Sequence, residues 1–540
     1  MQKILNGINS WAVLVTVIIT VIAVPILIIL INIFIGQSET WSHLVEHLLT
    51  GYLLNSLVLV VSVGTLSLLI GTACAWVINT YDFYGRRQLE WLLILPLAIP
   101  TYIMAFIYSG IFDFSGPVKT FFRNQFGVGL AFLDVQNLYG VIFIMTMVLF
   151  PYVYVSALTY FKNASGSLIE ASRSLGSTPT RAFLKIVLPA SRPALVAGVS
   201  LVLMEVLNDY GAVKYYGVNT FTTGIFRSWF SMGDLQAAVF LASMLMAFVF
   251  VLILLERWQR GKRRFDQGGR STQPLLRYKL LGWKYVFALA ICLIPLLLGF
   301  IIPLLQLVYW TWQTAYKVVD GEFWTLLGNS FLLAGISALV CVMAAILLLY
   351  GVRVAKSTRV ENISKLSVLG YSIPGAVIAI GIMITLITVD RWWIDLMKYL
   401  TGEKVGFLLS GSLFALIFAY LVRYLVVGYN PIDAGFKRIS TSLEEASLSL
   451  GRGRWVTLFR IDIPILKASI LGGALMVFVD VLKELPLTLI LRPFNYDTLA
   501  TKAFQYASDE MVAESAPASL IIILIGLLPI FLLNKLIIKH

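Results

Sequence analysis

Four carboxylates stand in stretches of this chain where carboxylates are costly. Glu205 and Asp209 close the apolar run LVLMEVLNDYG, and Asp480 and Glu484 close the run MVFVDVLKELP. In each pair the acids are four residues apart, which puts them on one helix face. Ionisable groups inside apolar runs are expensive and by default mark ion or substrate pathways. With the phenols of Tyr210, Tyr215 and Tyr216 next to the first pair, the donors are all oxygen and suit a hard, highly charged cation. One expectation is therefore transient metal binding by Glu205, Asp209, Asp480 and Glu484, with Tyr210 on the same pathway, near its outer mouth. The other is structural: Lys483 pairs with one acid, and the rest are hydrated or cap helix ends.

A second constellation is E-A-S-x-S-L-G. It occurs at Glu170, Ala171 and Ser172 through Gly176, and again at Glu445, Ala446 and Ser447 through Gly451. Each copy reads as a short helix, a glycine turn, a second short amphipathic helix and a proline (Pro189, Pro464) leading into the next apolar run. Glycine permits the sharp turn, and proline suits the start of a helix. Such an element forms a stiff bracket that offers a knob for another protein to grip.

The elements that position these residues must be helices in lipid. Of 540 residues, 59% are hydrophobic and 13% charged, with mean hydropathy +0.87. A soluble domain has no place for that much apolar surface. Twelve runs are long enough to span: 11–35, 52–78, 91–112, 138–161, 194–212, 237–256, 283–313, 327–350, 363–389, 406–428, 468–488 and 516–536. None alternates like a barrel strand. The first has a long apolar core with no small-residue cleavage site, and reads as an anchor that stays. Prolines at 96 and 100, and at 374, predict kinks in the third and ninth runs.

Starting with the N-terminus inside, the cytoplasmic segments hold most of the 41 Lys and Arg, including Arg257 to Lys284 and Arg423 through Lys467. This bias sets both termini in the cytoplasm and explains the net charge of +13 without nucleic acid; the charge faces lipid headgroups. The chain also repeats. Asn55-Ser56 recurs as Asn329-Ser330, and Pro100 as Pro374, at an offset of 274. Glu170, Gly176, Pro189, Glu205 and Asp209 recur at 275. Six spans per half give parallel repeats about an axis along the membrane normal. The expected fold is an all-α polytopic membrane protein, with units at 1–256 and 283–540 and a basic cytoplasmic linker at 257–282.

The doubled segment, with cores at 165–190 and 440–465, resembles the "EAA" coupling loops of inner-membrane permeases of binding-protein-dependent ABC importers. The resemblance covers nearly the whole chain, as two fused units. It implies the type I importer permease fold. Glu170, Ala171, Gly176, Glu445, Ala446 and Gly451 would form the surface that inserts into the ATPase. Ser172 and Ser447 replace the family's second alanine. The stretches 209–234 and 480–510, above all K-E-L-P-L-T-L, look like ferric-iron permeases of the Fbp or Fut type; thiamine and polyamine permeases share the fold and the loops. Implied partners are two copies of an ATPase, which uses ATP and magnesium, and a periplasmic solute-binding protein. The cargo would move by alternating access across the bacterial inner membrane.

The remaining residues exclude other chemistry. No G-x-x-x-x-G-K-[ST] is present, so the chain binds no ATP by that route, and no nucleophile–base pair suggests an enzyme. Cys74, Cys292 and Cys341 lie in apolar runs as core residues, and His43 with His47 lacks a third ligand. A proton-coupled secondary transporter would share the spans and the parallel repeat, but it has no use for the doubled loop.

Overall fold

The computed structural model describes residues 10–32, 39–127, 134–174, 176, 178–260, 277–364, 370–403 and 405–538. Its spans are α1 (Ser10–Asn32), α2 (Leu49–Thr80), α3 (Thr101–Phe112), α4 (Leu138–Ser174), α5 (Arg192–Asn208), α6 (Leu235–Arg260), α7 (Trp283–Val318), α8 (Gly321–Ala355), α9 (Gly375–Thr401), α10 (Leu413–Phe436), α11 (Ile463–Leu482) and α12 (Ala516–Ile538). Among the described residues the only strands are Tyr81–Asp82 and Tyr278–Lys279, paired in parallel. Nine of the described helices are long and apolar enough to cross a membrane, or eleven when two bent pairs each count as one span. The shorter apolar helix Ala516–Leu532 is the twelfth, so each expected run falls on an observed helix. In α1 the most apolar window has hydropathy 3.2 yet is only 28% buried. A face that apolar needs lipid as its solvent.

The prolines do more than kink. Pro100 and Pro374, both extended, precede the first residues of α3 and α9. The helix pair around Pro100 bends by 92°. Proline supplies no N–H to continue a preceding helix and holds the residue before it extended, so the segment restarts instead of bending.

The described chain forms two compact units, neither continuous in sequence. One comprises Met1–Ser42, Ile225–Met246 and Val319–Lys502; the other His43–Gly224, Ala247–Val318 and Ala503–His540. In the first unit α8, α10 and α11 pack on one another, and α1 lies against α8 and α9. In the second, α2, α4 and α5 pack in the same way, and α7 lies against α2 and α4. The two triplets are the same elements at repeat distance. Their crossings use the same glycine. A Cβ on Gly198 would stand 2.9 Å from the Val153 backbone, and one on its repeat, Gly473, 3.1 Å from the Gly428 carbonyl.

Two differences between the copies have local causes. α4 runs on through the first Glu-Ala-Ser segment to Ser174, where a short separate helix was expected. α10 stops at Phe436, and the second segment forms its own helix, Thr441–Ser449, N-capped by Ser440. Arg353 makes the stop by donating to the carbonyls of Phe436 (2.9 Å) and Ile439 (3.1 Å); its repeat position is Asn79. Beyond the glycine, the first copy breaks by 65° between Phe183–Ala190 and α5, whereas the second runs unbroken from Arg454 to Leu482. Pro193 lies just after the bend, and its repeat position is Ala468.

Candidate functional site

Asp209 and Glu484 do the same job at repeat positions: each caps a short helix that follows its span. Asp209 Oδ1 accepts from the backbone N–H groups of Ala212 and Val213, both at 3.1 Å, at the start of Gly211–Tyr215. Glu484 Oε1 accepts from the N–H of Leu487, the repeat of Ala212, at 3.2 Å in the helix Pro486–Leu491. A carboxylate there satisfies orphan donors and meets the positive end of the helix dipole.

The second oxygen of each acid has a different partner. In the first copy Thr101 donates its hydroxyl to Asp209 Oδ2. In the second, the Tyr424 hydroxyl donates to Glu484 Oε2, and Arg423 Nη1 stands 3.6 Å from Oε1. The repeat of Thr101 is Gly375, and a Cβ on Gly375 would fall onto the Arg423 guanidinium. Glycine thus vacates the space that the arginine fills, while the repeat of Arg423 is Val148. This corrects the placing of Arg423 among the cytoplasmic charges. It is buried within α10, ten residues from the helix start, or about 15 Å along the axis. Glu484, its ion-pair partner, is buried as well. A lone arginine in an apolar span opposite an acid was the available signal, and the charge bias of the loops masked it.

Glu205 and Asp480, the other two acids, are half-buried. Lys483 lies 2.8 Å from Asp480 and is the lysine expected to neutralise one of the acids. Tyr210 is buried, with its ring 6.1 Å from that of Phe504. Among the described residues no three His, Cys, Asp or Glu side chains group as metal ligands.

The Asn-Ser repeat has a role that its sequence did not reveal. Asn55 donates to the carbonyl of Asn219 (2.9 Å), and Asn329 to that of Asp497 (3.4 Å). In the second copy the Leu499 N–H also donates to Ser330 at 2.8 Å. The next residue in each copy, Thr220 or Thr498, gives its N–H to a threonine hydroxyl three residues on, at 2.7 and 2.9 Å. Thus α2 and α8 hold the turns that follow the capped helices.

In the coupling segments Gly176 and Gly451 have φ of +76° and +75°, with open space where a Cβ would stand, so these turns require glycine for conformation. The side chains of Glu170 and Ala171 lie outside the described residues. In the second copy Glu445 is exposed, 4.0 Å from Lys356. Its neighbour Glu444 is only half-exposed and sits 2.6 Å from Arg353. Burial raises the Glu444 carboxyl above the usual range, against the pull of Arg353. Ser447, the departure from alanine, is buried and shares a hydrogen bond of 2.8 Å with Thr457, tying the two short helices together. Ala446, Leu448 and Leu450 are exposed. The bracket thus presents Glu445 with bare apolar groups beside it.

Comparison with known proteins meets this architecture. Residues 67–264, from α2 through the first coupling segment to the end of α6, match the family described as "Binding-protein-dependent transport system inner membrane component". The chain is an ABC-importer permease. A ferric-type relative matches it almost end to end: the Fe(3+)-transport system permease protein FbpB 2 of Haemophilus influenzae is 27% identical over 505 residues, 93% of each chain. The ferric transport system permease protein FbpB of Actinobacillus pleuropneumoniae is 24% identical over 85% of this chain and 68% of its own. The sulfate transport system permease protein CysT of Escherichia coli is 32% identical over 28% of this chain and 52% of its own. The permease is thus a multi-pass inner-membrane transport subunit, and ATP is hydrolysed by a separate ATPase. Its partners are that ATPase and a substrate-binding protein.

Proposed function

We propose that this permease carries ferric iron. The observation that carries the reading is similarity along 93% of both chains to a ferric permease, both halves included. The sulfate relative matches little more than a quarter of the chain. In this reading both termini are cytoplasmic, and one ATPase copy grips each coupling segment, through Glu170, Ala171 and Gly176 in one and Glu445, Ala446 and Gly451 in the other. The ATPase pair uses ATP and magnesium, and its closure drives alternating access between the units read as 1–256 and 283–540. Glu205 and Asp480 serve the pathway with Tyr210, while Asp209 and Glu484 hold the capped helices that shape it. Asp209 and Glu484 take the holding role because each accepts from backbone N–H at the start of a short helix. The test is the ATPase activity of the reconstituted complex. A ferric-loaded cognate binding protein should stimulate it, and the same protein without iron should not; stimulation by sulfate-loaded protein instead would transfer the reading to an oxyanion.

A further inference from the structure

A groove of about 900 Å³ opens beside the first coupling elbow, lined on its length by carbon and at one end by charge. Its walls come from α2, α5, α6, α7 and the elbow itself, with Leu69, Leu184 and Leu255 exposed along it. Trp76 and Phe183 form its floor near the elbow, their rings 4.4 Å apart. Arg192, the first residue of α5, stands at the elbow end; it is exposed and makes no hydrogen bond or ion pair among the described residues. Arg181 and Lys185 are exposed on the same elbow, and the one acid in the lining, Glu256, already has an interaction of its own.

We propose that this groove holds the acyl chains of an anionic phospholipid whose headgroup phosphate rests on Arg192. Three features select this occupant. The lining runs from Arg192 to Leu203, eleven residues along α5, or about 16 Å, which is the depth of one leaflet of a roughly 30 Å core. The walls belong to membrane spans, so lipid tails are the solvent that reaches them. The guanidinium presents a fork of donors that fits a phosphate, and the elbow adds two more cations with no unengaged acid to oppose them. The lipid would brace the 65° bend between Phe183–Ala190 and α5, the joint through which the first coupling segment meets its span. The second copy has no such bend, so the site belongs to the first copy alone.

The test uses the whole permease–ATPase complex in nanodiscs of phosphatidylglycerol and phosphatidylcholine in equal amounts, each with a photoactivatable acyl chain. Crosslinks should concentrate on peptides containing Leu184 and Leu255, above the level at Leu332, an exposed position elsewhere. Phosphatidylglycerol should exceed phosphatidylcholine there about fivefold, the preference expected of one basic group at a lipid surface. Arg192→Gln should bring that ratio toward one while the acyl crosslinks persist. Ser200→Trp, which fills the groove, should remove them there and leave Leu332 unchanged. Crosslinking no greater than at Leu332, a ratio untouched by Arg192→Gln, or a polypeptide segment crosslinked in place of lipid would each overturn the assignment. None of these readouts depends on the cargo, so a failure of the iron reading leaves them standing.

Discussion

The Arg423–Glu484 pair gives the sharpest energetic prediction. Both side chains are buried, at 7% and 6% exposure, Arg423 near the middle of α10 and Glu484 just past the end of α11. Glu484→Gln keeps an acceptor for the Leu487 N–H but removes the negative charge 3.6 Å from the guanidinium. Arg423→Met strands the carboxylate with only the Tyr424 hydroxyl and that one N–H. Removing one partner of a buried pair costs about 3–5 kcal/mol, because the other charge stays behind uncompensated. The double variant leaves no buried charge, so its cost should be roughly 1 kcal/mol, that of a weakened cap. The single costs therefore should not add, and the coupling energy should exceed about 2 kcal/mol. The assay is denaturation of the purified permease in mixed detergent micelles, followed by circular dichroism, over the full double-mutant cycle. Costs that add to within about 0.5 kcal/mol would show that the two groups do not act as a pair, and the reading of Glu484 as a charge-neutralised cap would fall.

Four further outcomes follow from the contacts described above. Gly375→Ala should destabilise the permease by about 1–3 kcal/mol, since its methyl lands on the Arg423 guanidinium; made in the Arg423→Met background, the same change should add less than about 1 kcal/mol to the cost of Arg423→Met alone in the same assay. Thr101→Val should cost about 1–3 kcal/mol by leaving a carboxylate oxygen of Asp209 without its hydroxyl donor, measured the same way. Glu445→Ala should weaken ATPase capture in a pull-down while leaving stability within about 0.5 kcal/mol, because its side chain is exposed. Glu444→Ala should instead lower stability, since it frees Arg353 from the helix it ties down.

The sequence displayed what is periodic and repeated. Apolar runs located the spans, and the 274–275 offset paired α2 with α8 and α5 with α11 before any contact was known. The same offset identified Asp209 with Glu484, and the structure shows why they correspond: both cap the same turn. What stayed hidden depends on a partner far along the chain. The exchange of Thr101 and Val148 in one copy for Gly375 and Arg423 in the other is a three-dimensional compensation that no local pattern reveals. The Asn-Ser repeat was visible, but its reason, a backbone carbonyl more than 160 residues away, was not. The elbow in the first copy was half legible: Pro193 stood in the sequence, and only the unbroken second copy shows the difference it accompanies.

The central claim is that both halves serve one ATP-driven path for ferric iron. Its most direct measurement is uptake of radioactive iron into proteoliposomes carrying the permease and its ATPase, with ATP and magnesium on the ATPase side and ferric-loaded binding protein on the other. Uptake should require all of these, should be lost in the Glu205→Gln, Asp480→Asn variant although ATP hydrolysis continues, and should not respond to a proton gradient alone. Iron uptake driven by that gradient without ATP, or accumulation of sulfate in place of iron, would contradict the account.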